Sequence, residues 1–302
     1  MTERIIDLSE SPAYLKVQNR QLVIERTDAE PVSTPLSEVA AVIAAHPQVR
    51  CSQPMLAELM RSGGAFIVCD DRSLPVGLML PLQANALQTE RLAAQVAAPL
   101  PLRKRLWKQI VRRKIIAQAD LLQNLRGDDF GLRAIARTVR SGDPDNREAV
   151  ASRRYWTPLF DDPDFRRRFD APDQNRLLNY GYAVLRAVMG RAICAAGLHP
   201  SLGLHHHHRN NAFCLADDLM EPYRPLIDAV VVEHCRERDS DAVLDRPAKQ
   251  ALLQGVLGRY CADAEVRTLF DLAACTAVSL VKVLQKEAQW LDYPRELTYA
   301  DQ

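Results

Sequence analysis

Several features are missing from this 302-residue sequence, and each absence narrows what it can be. No run of about 18 uncharged apolar residues occurs, so no membrane-spanning helix is expected. The start, MTERIIDLSESP, lacks a basic stretch leading into an apolar one, so no secretory signal is read. The seven cysteines (Cys51, Cys69, Cys194, Cys214, Cys235, Cys261 and Cys275) are odd in number and widely spaced, without a Cys-x-x-Cys pair. That argues against a disulfide framework or zinc ribbon and fits a reducing, cytoplasmic setting. No Ser/His or Cys/His arrangement suited to a nucleophilic enzyme stands out, and there is no internal repeat. Net charge is also nearly missing, at +1, but this averages over unlike segments. Between Arg103 and Arg154 stand fourteen Lys or Arg against six Asp or Glu, a local excess of +8. Asymmetry on that scale points to a polyanionic partner.

What is present divides into two patterns. Up to about residue 80 the chain reads as strands. Ala13–Val17 and Gln21–Arg26 flank the polar Gln18-Asn19-Arg20, a hairpin signal, and Val39–Ala44, Ala65–Cys69 and Pro75–Leu80 are further apolar runs. One helix interrupts them, capped by Ser52 and ended at Gly63. After Pro81 the apolar period becomes helical across Leu82–Ala98, Leu102–Leu125, Arg176–Ala196, Leu252–Tyr260 and Val266–Leu284. The expected fold class is α+β in two domains: a small β-rich N-terminal domain with one helix (1–83) and a larger all-α C-terminal domain (84–302).

Three segments could carry chemistry. In Ser141-Gly142-Asp143-Pro144-Asp145-Asn146-Arg147-Glu148 a turn precedes a helix that Asn146 could cap, with Glu148 in its first turn. A carboxylate there also serves simply to complement a helix dipole. Gly203-Leu204-His205-His206-His207-His208 is a loop of imidazoles, any of which could ligate a metal or merely face solvent. Asp217, Asp218 and Glu221 are spaced to share a helix face, where like charges repel unless a cation lies between them. Carboxylates from two distant segments together with histidine suit Mg²⁺ or Mn²⁺ better than structural zinc. The polyanion signal is concentrated in Arg103, Lys104, Arg105, Lys108, Arg112, Arg113 and Lys114, twelve residues without an acid. Arg105, Lys108 and Arg112 share one helical face, and Arg133, Arg137 and Arg140 repeat at helical spacing just before the Glu148 turn. Such a surface suits DNA phosphates with little sequence preference, the alternatives being a solvated face or an interface with an acidic subunit.

The segments SGDPDNREAVASRRYW from Ser141, NYGYAVLRA from Asn179 and LHPSLGLHHHHRNNAFCLADDLMEPYRPLID from Leu198 resemble the CRISPR-associated endonuclease/integrase family of spacer acquisition. The likeness is greatest to the form of roughly 300 residues that accompanies type II systems, and PVGLMLP at the end of the β part extends it. The resemblance implies a metal site of Glu148, His206 and Glu221, with His206 picked from the run because Gly203 fixes the register. Asp218 falls on an acidic position close to the metal and is a secondary candidate. It implies Mg²⁺ or Mn²⁺ as cofactor and attack by a 3′-hydroxyl of a prespacer duplex at the edge of a CRISPR repeat. Expected partners are double-stranded DNA, a second copy of the chain and a small adaptation protein, two homodimers flanking a partner dimer in a heterohexamer. A non-enzymatic DNA-binding scaffold and a hydrolase of small phosphoesters are the rival readings. The long basic segment disfavours the second.

Overall fold

A computed structural model describes residues 4–27, 29–71, 75–237 and 242–299; residues 1–3, part of the start read for a signal, lie outside it. The N-terminal part contains β1 (Arg4–Leu8), β2 (Ala13–Gln18), β3 (Gln21–Arg26), β4 (Ala29–Pro35), β5 (Val39–Ala44), β6 (Val49–Cys51), α1 (Gln53–Arg61), β7 (Ala65–Cys69) and β8 (Pro75–Met79). These strands form two four-stranded sheets, ordered β1-β5-β7-β8 and β4-β3-β2-β6. The expected hairpin is β2–β3, closed by Asn19 and Arg20, both at positive φ. That conformation matches the right-handed twist of the flanking strands. Ser52 caps α1 by accepting from the Met55 amide, and Gly63 at φ +80° follows the helix. Three strands escaped the sequence reading. β6 has three residues, too few to show alternation, and β4 carries mostly exposed side chains.

The helical part comprises α2 (Gln88–Val96), α3 (Leu100–Arg126), α4 (Leu132–Thr138), α5 (Arg147–Phe160), α6 (Asn175–Ala195), α7 (Cys214–Met220), α8 (Arg224–Glu237), α9 (Arg246–Leu257) and α10 (Leu269–Leu284). It is not all-α as expected. β9 (Arg259–Ala262), β10 (Glu265–Thr268) and β11 (Leu297–Tyr299) form a three-stranded antiparallel sheet. Tyr260 and Val266, read as helical, therefore lie on strands. Strands this short give no period to recognise, and the β9–β10 turn uses Asp263 and Ala264 at positive φ, without a glycine to announce it. The expected helix from Leu82 starts only at Gln88.

Two cores form, and the larger one crosses between the parts. β5 and the first three residues of its parallel neighbour β7 are buried on both faces, which explains their unbroken apolar sequences. Val42 and Phe66, paired across the ladder, enter a small core with Leu15, Leu22, Met55 and Leu59. Their chain neighbours Ile43 and Ile67 point the other way into the helical core, where α6 is buried on nearly every side. Packed in that core is α3, a helix about 40 Å long, begun by Pro101 in its first turn and ended by Gly127 at φ +75°. Among the described residues no helix is long and apolar enough to cross a membrane.

Ile67 is 1% exposed at the seam between sheet and helices. Ile67→Ala is expected to lower unfolding stability by about 2–5 kcal/mol, read as a lower denaturant midpoint.

Candidate active site

The site is built around α3. Its buried stripe includes Leu106, Trp107, Ile110, Val111, Ile115 and Gln118. Lys114 falls on this stripe, three residues after Val111 and four before Gln118, so its stem is carried inward with the apolar residues. Its Nζ lies 2.6 Å from Glu148 Oε1 and 2.6 Å from Glu221 Oε2. The three side chains are 13%, 22% and 5% exposed, so the two carboxylates converge on one cation in a largely dry place. Burial works to raise the Glu221 carboxyl, but Arg224 and Lys114 outweigh it and hold it below the ordinary carboxylate range. Burial likewise works against the Lys114 ammonium, and Glu221 and Glu148 outweigh it, so its proton is held more tightly than usual.

Each carboxylate is placed by its own local structure. Glu148 lies in the first turn of α5, after a turn in which Gly142, Asp143 and Asn146 have positive φ. Asn146 does not cap the helix as expected. Asp143 does, accepting from the amides of Arg147 (2.9 Å) and Glu148 (3.0 Å). The turn is seated on α3, with the Gly142 amide donating to the Lys104 carbonyl. A Cβ on Gly142 would crowd the Lys104 stem at 3.0 Å. Glu221 begins the 3-10 turn Glu221–Tyr223 that continues α7, and Arg224 Nη2 lies 3.1 Å from its other oxygen.

The neighbouring acids do other work. Asp217 is engaged by Arg186 (2.7 Å) and Asn211 (2.7 Å). Asp218 is fully buried, and its oxygens accept from the amides of Leu204 (2.6 Å), His205 (3.0 Å) and His206 (3.2 Å). His206 Nδ1 lies 2.6 Å from Asp218 Oδ1. Asp218, the secondary ligand candidate, is thus engaged in holding the histidine loop. A charge buried this deeply is tolerable because four polar groups surround it.

The four histidines are distinguished by packing. His205 stacks on Trp107, ring centroids 4.2 Å apart and planes 2° apart, while His206 meets the same indole edge-on. His207 and His208 are exposed. A Cβ on Gly203 would collide with the His206 carbonyl and reach 3.0 Å from Asp218 Oδ2, so the loop needs glycine there. The Asp218 hydrogen bond raises the proton affinity of His206; burial opposes this, and the charges of Asp218, Glu221 and Glu148 add to it. With Nδ1 engaged by Asp218, Nε2 is the nitrogen left for a ligand. His206 also lines a cleft of about 400 Å³ with Arg103, Gln95, Asn211 and His208.

Among the described residues, no three His, Cys, Asp or Glu side chains surround a common point at metal-ligating distances. The donor set nevertheless fits a hard divalent ion. Two carboxylates already share a cation, Glu221 Oε2 has no hydrogen-bond partner beyond this ammonium contact, and an oriented imidazole lies beside them.

The basic residues are more scattered than their spacing suggested. Lys104, Arg105 and Arg112 are exposed and Lys108 half-buried along α3, none of them ion-paired among the described residues, and Arg137 is likewise exposed and unpaired on α4. Arg133 is tied to Asp120 (2.7 Å), and Arg140 to both oxygens of Asp145. Arg113 lines a separate cleft of about 220 Å³ with Pro222, Leu226 and Leu297. The sequence reading missed Lys114's role, counting it with the exposed basic run although its place on the buried stripe marks it as different. It also missed Asp143, Trp107 and Arg224 as supports.

The family model described as CRISPR associated protein Cas1 matches residues 7–242. A CRISPR-associated endonuclease Cas1 from Neisseria meningitidis serogroup C (strain 8013) is 37% identical over 253 residues, covering 82% of this chain and 81% of that one. Among solved structures, a casposase bound to integration product superposes with a TM-score of 0.78 at 18% identity, over 97% of this chain and 93% of that one. A chain of a Cas6-RT-Cas1–Cas2 complex does so with a TM-score of 0.74 at 17% identity, over 98% of this chain and 36% of that one. The structural likenesses show a shared fold, N-terminal strands followed by C-terminal helices. With the family model matching well over half the chain, the protein belongs to the CRISPR-associated Cas1 family.

Proposed function

We propose that this chain is a metal-dependent DNA integrase and endonuclease that inserts new spacers into a CRISPR array. The observation that carries this reading is the convergence of Glu148 and Glu221 on one buried cation beside an oriented His206. Membership of a family with an endonuclease relative supports the reaction class, and the fold shared with a casposase bound to integration product supports strand transfer.

Glu148, His206 and Glu221 would hold Mg²⁺ or Mn²⁺, and the bound ion supplies charge for a phosphoryl oxygen and acidifies the attacking hydroxyl. Asp218 acts through His206, fixing its ring and presenting Nε2. Arg224 keeps Glu221 ionised. Arg105, Lys108 and Arg112, with Lys104 and Arg137, take DNA phosphates and set the position of the duplex. The reacting hydroxyl is the 3′ end of a prespacer duplex and the target a phosphodiester at the edge of a CRISPR repeat; water in its place gives cleavage. Phosphoryl transfer needs positioning and charge neutralisation more than covalent help, which agrees with the lack of a nucleophile motif. The working assembly pairs homodimers of this chain with a small adaptation partner in a heterohexamer, a reading supported by the fold shared with the Cas1–Cas2 complex.

The deciding experiment is strand transfer. The protein and its small partner are mixed with a labelled duplex bearing 3′-hydroxyls, a plasmid carrying the cognate leader and repeat, and Mn²⁺ or Mg²⁺. Label should join at the repeat edge, and EDTA or Glu148→Ala should abolish joining. DNA binding without joining under either metal, while an active homologue works in the same tube, establishes the scaffold reading instead.

Two further outcomes follow from the supports. Replacing Arg105, Lys108 and Arg112 together by Ala should flatten the plot of log affinity against log salt by about 2–3, roughly 0.9 per phosphate contact. In Asp218→Asn, an amide nitrogen would face the loop N–H groups. Mn²⁺ affinity should fall by about 10–100-fold, with faster hydrogen exchange confined to the Leu204–His206 amides.

A further inference from the structure

The Lys114 ammonium occupies the gap between the two proposed ligand carboxylates, 2.6 Å from each. A divalent ion held by Glu148 and Glu221 would need the same carboxylates that the ammonium now engages. Two cations there would repel strongly in surroundings that water screens poorly. The lysine is no accident of a flexible surface side chain. It projects from the buried stripe of α3, its side chain is 13% exposed, and it bridges carboxylates from two different elements. Without the ammonium, Glu148 and Glu221 would face each other, with Arg224 on the far oxygen of Glu221 and His206 nearby. Breaking a buried pair by removing one partner is strongly destabilising because the remaining charge is uncompensated.

We propose that Lys114 is a stand-in cation: it holds Glu148 and Glu221 together when no divalent ion is bound and is exchanged for that ion on loading. The site is thereby kept assembled before the metal arrives. Metal uptake is a substitution of one positive charge by two, rather than the filling of a gap between repelling acids. This rests on the metal-site reading above, and its test separates the two.

The test uses the whole wild-type chain and reductive methylation with formaldehyde and cyanoborohydride, read at each lysine by peptide mass spectrometry. In EDTA, Lys114 should be modified far more slowly than Lys104, its exposed neighbour on the same helix. Saturating Mn²⁺ should speed Lys114 by on the order of tenfold or more, leaving Lys104 unchanged. In parallel, Lys114→Met should bind Mn²⁺ more tightly by on the order of tenfold or more, because the competing charge is gone. It should also melt at a lower temperature than wild type in EDTA and recover when Mn²⁺ is added. A Lys114→Met chain that folds only with Mn²⁺ shows the same exchange in stronger form. If Mn²⁺ binds in a Glu148-dependent way while Lys114 stays shielded, or if Lys114→Met binds Mn²⁺ no more tightly, the exchange is wrong and the metal site stands. If Mn²⁺ uptake is absent, or indifferent to Glu148→Ala, the metal-site reading fails and the exchange fails with it.

Discussion

The arrangement depends on one balance of charge: a lysine ammonium between two carboxylates that would otherwise repel. Glu148 and Glu221 arrive from separate elements, and among the described residues neither has another ion-pair partner at its Lys114-facing oxygen. Burial alone would favour the neutral form of Glu221. Lys114 and Arg224 reverse that for Glu221, and the carboxylates in return keep Lys114 charged. The charges are therefore mutually conditional.

That balance is possible because α3 serves three neighbours. Its buried side packs the helical core and delivers Lys114. Trp107, seven residues earlier, forms the floor under the histidine loop. The Lys104 carbonyl anchors the turn before Glu148. Its outer side keeps arginines in solvent where a polyanion would lie. A helix whose buried stripe serves both core and site, with its basic residues on the outer face, puts these groups in a fixed relation along a rigid rod. That is the kind of support a reaction requiring accurate placement needs.

Much of this was legible beforehand, for reasons that differ by residue. The strands β2, β3, β5 and β7 declared themselves through β-branched apolar runs, and α3 and α6 through long helical periods. Glu148 and Glu221 were named as ligand candidates from motifs, and both meet at Lys114. What stayed hidden depends on three-dimensional company. A run of four identical residues carries no signal for which one turns inward. Only Trp107 beneath His205 and Asp218 beside His206 separate them. Adjacent acids gave no hint that Asp217 and Asp218 would be engaged by Arg186 and by loop amides. The short strands of the C-terminal sheet were lost because four residues cannot show a period.

The site is assembled from α3, the start of α5, the loop after α6 and the end of α7. None of these segments carries enough of it to work alone, and the contacts that join them are distant in sequence. A chain emerging from the ribosome would display the arginines of α3 well before Glu221 had been made. During that interval Lys114 has no Glu221 to face. The ordering builds the exposed basic face first, and the meeting of Glu148 and Glu221 at Lys114 exists only once the fold has closed.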